Sequence, residues 1–311
     1  MSATQPDIVS VVIPCYRDAP RAIALLGVLS LQHVPPSWSL ETIVVDDGSG
    51  DDTAQLLLDA LPDYARVLSL PTNQGRSVAR QAGANAANGR VLVFLDADCE
   101  PRDPSFLAKH LAALQGGAAA STGPIEGTGQ GFWHRYQIAV SARRAAAHRR
   151  GEPGVGTTAN LAVDAAAFLA CGGFSRNFTR YGFEDTDLLL RLGRHGHIEW
   201  SDAPVRHMDE LSMASVARRM REAGRYGAGP MHAKHPEFYR HSRFGRCDAA
   251  LNPWLRPVGL LARYTLAPAI RGTDAALRSG WLPWTVSRHV VSALSGLSFL
   301  VGTCEAQGQA E

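Results

Sequence analysis

The sequence predicts an α/β fold: a doubly wound, mainly parallel sheet with helices on both faces, followed by a helical C-terminal extension. Three observations predict it. Short apolar, β-branched runs alternate with helix-like stretches as far as His207, the pattern of repeated strand–helix units. Two of those runs end abruptly in acidic loops, Asp46-Asp47-Gly48 and Asp96-Ala97-Asp98, and open α/β sheets carry their ligand loops at the carboxyl ends of strands. Beyond His207 the strand signals give way to a basic helical stretch, Met213–Arg225, and two apolar stretches, Leu255–Leu266 and Trp281–Val301.

Ile8–Pro14 (IVSVVIP) opens the chain as a buried strand. Asp18 is placed to cap a helix over Ala19–Leu31, and Pro35-Pro36 closes that unit. Glu41–Val45 is the second strand. Asp51 and Asp52 begin the next helix, with Leu56, Leu57, Leu58 and Leu61 on its apolar side. Val67–Leu70 is a third strand, and residues 73–77 loop into an alanine-rich helix over Val78–Ala87, stopped by Asn88-Gly89. Val91–Leu95 (VLVFL) is the fourth strand, apolar throughout, as a strand buried on both faces should be. Asp103-Pro104 then caps a helix over Phe106–Leu114, residues 118–123 form one more strand, and Gly131–Arg150 is a long helix. Gly151–Thr158 is a glycine-rich loop. Residues 182–187 open a helix over Leu188–Arg194, in which Asp187 and Arg191 stand i to i+4 as a structural ion pair. Ile198–Trp200 and Pro204–His207 close the body as short extended segments.

Composition bounds the function. The 311 residues are 45% hydrophobic and 19% charged, an ordinary globular balance. The net charge of +2 is too small for a nucleic-acid binder. It is unevenly spread: residues 1–202 hold 17 Lys+Arg against 21 Asp+Glu, a net of −4, and residues 203–311 hold 14 against 8, a net of +6. A basic last third fits an anionic partner surface such as membrane phosphates. Five scattered cysteines, odd in number and without CxxC spacing, point to neither a disulfide framework nor a zinc site and favour a reducing compartment. The N-terminus has no secretory signal, and no apolar run reaches the ~20 residues that span a bilayer. A cytoplasmic body is expected.

The chemistry concentrates at Asp96 and Asp98. Alternation along an extended chain turns both carboxylates to one side of the strand end. There they repel each other unless a cation or hydrogen-bond donors compensate. A divalent metal carrying a phosphorylated ligand is one compensation; an acidic turn capping the next helix is the plain alternative. Pro14 and Tyr16, at the end of the first strand, offer backbone and ring on which a base could rest.

Five stretches, VSVVIPCY at 9–16, VVDDGSGDDT at 44–53, NQGRSVARQAG at 73–83, FLDADCEP at 94–101 and GFEDTDLLLRLGRHG at 182–196, resemble in order and spacing the family 2 glycosyltransferases of GT-A fold. The resemblance runs from Val9 to His207. It implies inverting transfer of a sugar from a nucleoside-diphosphate sugar to a hydroxyl acceptor, with Mn²⁺ or Mg²⁺ as cofactor. Residue by residue, Asp47 resembles the family acid that accepts a hydrogen bond from the base imide, with Asp46 bracing the turn. Gly75 and Arg76 resemble the loop over ribose and phosphates; Arg80 is as readily a surface residue. Asp96 resembles the ribose-contacting acid and Asp98 the metal ligand, and His207 stands where the family often has a further metal-binding histidine. Asp185 matches the general base, and Glu184 helps orient acceptor or sugar. Helix capping is the bland role for this acidic pair.

No Gln-x-x-Arg-Trp signature follows His207, so the resemblance implies a single transfer rather than polymerisation, in bacterial-type envelope glycan or glycolipid synthesis. UDP is the first nucleotide to test, with GDP and dTDP open. The rivals are a sugar-phosphate nucleotidyltransferase and an inactive nucleotide-sugar-binding module. The expected domains are 1–230, with a nucleotide half to about 100 and an acceptor half beyond it, and a helical extension over 231–311. The acceptor is a glycan, a lipid-linked species or a small molecule. The extension either lies at the inner membrane face or packs on the body or in a homodimer. Pro257, Pro268 and Gly272 argue against one continuous helix there.

Overall fold

The computed structural model describes residues 6–178 and 180–307. The chain divides into two compact units: residues 1–128, 137–179 and 188–209 form the first, and residues 129–136, 180–187 and 210–311 the second. The strands are β1 (Asp7–Cys15), β2 (Trp38–Asp46), β3 (Ala65–Ser69), β4 (Val91–Leu95), β5 (Cys99–Pro101), β6 (Ala120–Thr122), β7 (Ile125–Gly127), β8 (Asn160–Asp164), β9 (Ile198–Trp200) and β10 (Val205–His207). The helices are α1 (Ala19–Leu29), α2 (Thr53–Asp59), α3 (Arg76–Ala86), α4 (Phe106–Gln115), α5 (Phe132–Arg149), α6 (Ala165–Ala170), α7 (Glu184–Leu192), α8 (Met213–Glu222), α9 (Ala228–Lys234), α10 (Pro236–His241), α11 (Arg243–Arg246), α12 (Arg256–Ser279) and α13 (Trp284–Gln307).

The first unit is built on a seven-stranded sheet in the order β3-β2-β1-β4-β8-β6-β9. β3, β2, β1 and β4 run parallel, β8 is antiparallel to both β4 and β6, and β9 returns parallel to β6. Side chains of β4 alternate between two cores, as strand geometry requires. Val91, Val93 and Leu95 join α1, α2 and α4 on one face, through residues such as Leu25, Leu57 and Phe106. Leu92 and Phe94 join α3, α6 and the second half of α7 on the other, through Ala79, Phe168 and Leu188. Helices therefore cover both faces, as expected. The sequence did not announce the small sheet β5-β10-β7, in which β10 pairs antiparallel to β5 and parallel to β7.

Two local expectations are corrected. Asp18 does not cap α1; its carboxylate accepts from Arg21 Nη1 at 2.8 Å, because a charged donor on the next turn outcompetes the amides. Of the leucines on α2 only Leu57 is buried, while Leu56 and Leu58 are 42% and 53% exposed; a seven-residue helix presents one narrow face to the sheet. Asp187 has long-range partners that helix spacing does not announce. It is buried within the second unit between Lys234 Nζ and His235 Nε2, each 2.8 Å away, whereas Arg191 donates to the Cys171 carbonyl at 2.6 Å.

The second unit is helical. α8, α12 and α13 enclose Met213, Ala217, Ala262, Leu266, Leu277, Val291, Leu294 and Val301. A π-helical turn, Ala223–Gly227, follows α8. Gly224 and Gly302 let the backbones meet: a Cβ at either would lie 2.2 Å from the Phe299 carbonyl oxygen or 2.1 Å from that of Arg221. α12 is continuous through Pro268, contrary to expectation. Pro268 lies on the exposed side, where water can satisfy the carbonyl that the ring leaves without a donor. α13 spans 24 residues and is apolar enough to cross a membrane by length and composition, but half of its apolar window is buried inside the structure.

Candidate functional site

The carboxyl ends of β1, β2 and β4 bring the predicted nucleotide residues of the first unit together. β1 and β2 are in register up to Cys15 opposite Asp46, so Pro14, Tyr16, Asp46 and Asp47 share one rim. Pro14 is buried and Tyr16 is half-exposed beyond it, with the Arg17 guanidinium 5.3 Å from the ring centroid. Arg17 itself was not foreseen. Its backbone is left-handed (φ 53°) and its N–H donates to Ser49 Oγ at 2.8 Å. Asp46 accepts from the amide and hydroxyl of Ser49, so it braces its own turn. Asp47 accepts from the amides of Gln74 (2.9 Å) and Gly75 (2.8 Å), stitching the β2 loop to the loop before α3. Burial pushes the Asp47 carboxyl up against those two bonds. Gly75 turns with φ 93°, a conformation a side chain would strain, and this starts α3 with Arg76 on the open side.

The Asp96-Ala97-Asp98 segment behaves differently from a strand extension. Pairing stops at Leu95, and a turn closed by the Cys99 amide on the Asp96 carbonyl (2.9 Å) leads into β5. The two carboxylates therefore take separate partners rather than one shared face. Asp96 is held by Arg76 (Nη1 to Oδ2, 3.1 Å) and by Arg80. Arg80 is buried, not a surface residue; the period of α3 had placed it one turn beyond Arg76, and only the fold shows which way it faces. Burial alone would raise the Asp96 carboxyl, but the two guanidiniums outweigh it and hold the group at about 2.

Asp98 is raised, first by burial and then by the charge of Asp96. Its Oδ2 lies 3.4 Å from His207 Nε2, a distance set by β10 lying against β5, where His207 is opposite Cys99. His207 Nδ1 donates to the Asp209 carbonyl at 3.0 Å. In the neutral ring this leaves the Nε2 lone pair facing the Asp98 carboxylate, the arrangement of a metal-ligating histidine. Two ligands of one divalent ion at metal–oxygen distances of about 2.1–2.4 Å stand about 3–3.4 Å apart. Among the described residues, no group of three or more acidic, His or Cys side chains is placed to hold an ion alone. The pair fits an ion whose remaining positions are filled by phosphate oxygens and water.

Behind this rim lies a polar core that sequence reasoning missed. His110 of α4 is fully buried, 2.9 Å from both Ser121 Oγ and Asn160 Oδ1, and Asn160 Nδ2 donates to the carbonyls of Pro124 and Ala203. Burial lowers the His110 imidazole to about 4, so the ring is neutral. Asn160 sits opposite Leu95, directly before Asp96.

Glu184 and Asp185 belong to the second unit. They form the first turn of α7, where acids complement the helix dipole. Glu184 accepts from the Gly182 amide at 2.7 Å, which ties the helix start to the chain entering it. The entry to that turn is fixed by an outlier: Phe183 has φ 69°, and its ring meets Phe244, Tyr239 and Phe299 at 5.0, 5.8 and 6.1 Å between centroids. A left-handed backbone at a bulky residue persists only where packing over-determines it.

Residues 10–172, the span holding every strand-end loop just described, match the family model of glycosyl transferase family 2. The chain belongs to that family. Family relatives align over little more than a third of their length. Glycosyltransferase AglE of Haloferax volcanii is 34% identical over 118 residues, covering 37% of this chain and 38% of its own. Dolichyl-phosphate beta-glucosyltransferase ALG5A of Trichomonas vaginalis is 31% identical over 114 residues, covering 34% and 35%. A family-sized fold extends further: the mannosyltransferase PcManGT from Pyrobaculum calidifontis, solved in complex with GDP-Man and Mn²⁺, superposes with a TM-score of 0.63 over 99% of this chain and 89% of its own. At 19% identity that likeness establishes the shared GT-A fold alone.

Proposed function

We propose that the chain is an inverting, metal-dependent glycosyltransferase that moves one sugar from a nucleoside-diphosphate sugar to a hydroxyl acceptor. The observation that carries the reading is the Asp98–His207 pair beside an Asp96 already saturated by arginine, on the strand ends of a family 2 chain. In the proposal Asp47 reads the base, Pro14 and Tyr16 support it, and Gly75, Arg76 and Asp96 line the ribose and phosphates. Asp98 and His207 hold a divalent ion, which when bound neutralises charge on the departing diphosphate. Nitrogen among the donors favours Mn²⁺ over Mg²⁺, and the solved Mn²⁺ complex of a protein with the same fold supports that choice. Asp185 is the general base that takes the acceptor proton, and Glu184 helps orient acceptor or sugar.

UDP leads the candidate nucleotides and GDP follows, since PcManGT was solved with GDP-Man. A relative named for dolichyl phosphate supports a lipid-linked acceptor and work at the cytoplasmic leaflet. The test has two parts. UDP-, GDP- and dTDP-sugars are compared by thermal shift with and without Mn²⁺, and turnover of the stabilising donor is followed in Asp185→Asn. Retained donor binding with transfer down about 10²–10⁴-fold is expected of a lost general base. Near wild-type turnover in that variant would move the base elsewhere, and donor binding without any turnover in the wild type would favour a binding module.

A further inference from the structure

We propose that the outer face of α12, with Trp254 and Trp281 beside its two ends, is a docking surface for an anionic lipid membrane, on which the helix lies in the interface plane. The inference rests on the proposal that the chain works at a membrane, not on the transfer chemistry.

The helix has two unlike faces. Gly259, Ala262, Leu266 and Leu277 are buried in the core of the second unit. Val258, Leu261 and Tyr264, three residues apart in turn, are 44%, 66% and 83% exposed, and Leu260 beside them is 51% exposed. Trp254 and Trp281, 72% and 80% exposed, stand just outside the two ends. The 24 residues of α12 run about 36 Å, so aromatic anchors flank a long apolar strip. Indole and phenol rings sit favourably at the headgroup level of a bilayer, and a soluble surface seldom leaves so many large apolar side chains exposed together.

Charge selects the partner. Arg256, Arg263, Arg271 and Arg278 are all exposed and fall within about a quarter-turn of one another around the helix, at the edge of the apolar strip. Residues 250–304 hold five arginines and one acid, Asp274. That acid faces inward, accepting from the amides of Met213 and Ala214 at the start of α8. Arg263 leans toward Glu305 at 3.7 Å, and Glu305 is also bound by Arg221. Within residues 250–304 the outward face is therefore apolar and cationic with no exposed acid, the pattern of an interfacial helix drawn to anionic headgroups. A spanning role for α13 is disfavoured by the same unit, since Val291, Leu294, Phe299, Leu300 and Val301 are buried and Glu305 is ion-paired.

The experiment is flotation of the full chain with vesicles of phosphatidylcholine alone or with about one-third phosphatidylglycerol. Flotation with the anionic vesicles at low salt, at least tenfold weaker at 0.5 M salt or with neutral vesicles, is expected. Leu261→Ser with Tyr264→Ser should lose that binding at least tenfold without a change in thermal midpoint, because both side chains are exposed. Arg271→Gln with Arg278→Gln should lose it in the anionic arm only. Recovery of wild-type protein in the supernatant with both vesicles overturns the proposal. So does vesicle binding undiminished in both double variants, or a stable dimer in solution that Tyr264→Ser dissolves, which would assign the face to a second copy. Sugar transfer to a soluble acceptor, measured alongside, keeps a failure here separate from a failure of the transferase reading.

Discussion

On the floor of the strand-end loops every carboxylate is met by two nitrogen or hydroxyl donors of the protein, and at Asp98 it is not. Asp46 is met by Ser49, Asp47 by two backbone amides, and Asp96 by two guanidiniums. Asp98, two residues from Asp96, faces the His207 imidazole and the Cys99 thiol and feels its neighbour's charge as repulsion, which His207 and Arg76 offset only in part. Asp187 in the second unit resembles the floor, with a lysine and a histidine around a buried carboxylate. Acids that hold the fold together have two such donors each, although burial still raises Asp47, whereas Asp98 is raised by burial and by its like-charged neighbour. A cation brought with a ligand would complete it.

The comparison breaks most readily at Arg80. Removing one partner of a buried ion pair strands a charge and typically costs about 3–5 kcal/mol. Arg80→Ala should destabilise the chain on that scale in urea unfolding, and Asp96→Asn added to it should recover part of the loss. A loss under about 1 kcal/mol would mean that Asp96 is not anchored as the floor requires.

His110 sharpens the contrast because it is a buried titratable group with no charged partner. Its folded value of about 4 lies below the unfolded 6.5, so the unfolded chain binds the extra proton and stability falls as pH drops from about 6.5 toward 4. The full shift corresponds to ~3 kcal/mol. Urea unfolding across that window should show the slope, and His110→Gln should flatten it even though the variant is weaker overall. An unchanged slope would assign the acid limb to other groups.

Asp98 should respond in the opposite sense to Asp96. Its carboxyl is raised in the folded chain, so the native state holds the proton more tightly and stability falls as pH rises through the interval between the unfolded and folded values. At neutral pH the ionised group is a net cost. Asp98→Asn should leave the melting midpoint of the ligand-free protein unchanged or higher, yet weaken Mn²⁺-dependent donor binding at least tenfold. A midpoint lower by several degrees would make Asp98 one more structural acid and remove the distinction.

How much of this was legible in the sequence follows from the range of the forces involved. β1 to β4 and their helices follow local periodicity, and Ile8–Pro14 and Val91–Leu95 could be read directly. The acids themselves could be read too, because loops after parallel strands concentrate ligand chemistry. Their partners could not. Arg80 and Lys234 meet Asp96 and Asp187 across 16 and 47 residues, and no spacing rule signals such contacts. Short strands such as β5 and β7 carry too few residues to show a period, and the continuity of α12 depends on Pro268 facing solvent, which only the packing of the opposite face decides.

The smallest expected effect concerns the second rim residue. His207 presents Nε2 only because Nδ1 is tied to the Asp209 carbonyl, and imidazole nitrogen favours Mn²⁺ more than oxygen donors do. His207→Asn substitutes an amide oxygen on a shorter side chain, so an ion can still bind through Asp98 and the donor's phosphates. The expected outcome is a several-fold weaker donor affinity in Mn²⁺ and a smaller change in Mg²⁺, so that the Mn²⁺ to Mg²⁺ ratio falls by about threefold to tenfold. Calorimetric titration of the stabilising nucleotide with each ion, in wild type and variant, reads that ratio. An equal loss in both ions would indicate that His207 shapes the rim without touching the metal. No loss in either would leave Asp98 as the single protein ligand and require the positive charge at the rim to come from the nucleotide–metal complex alone.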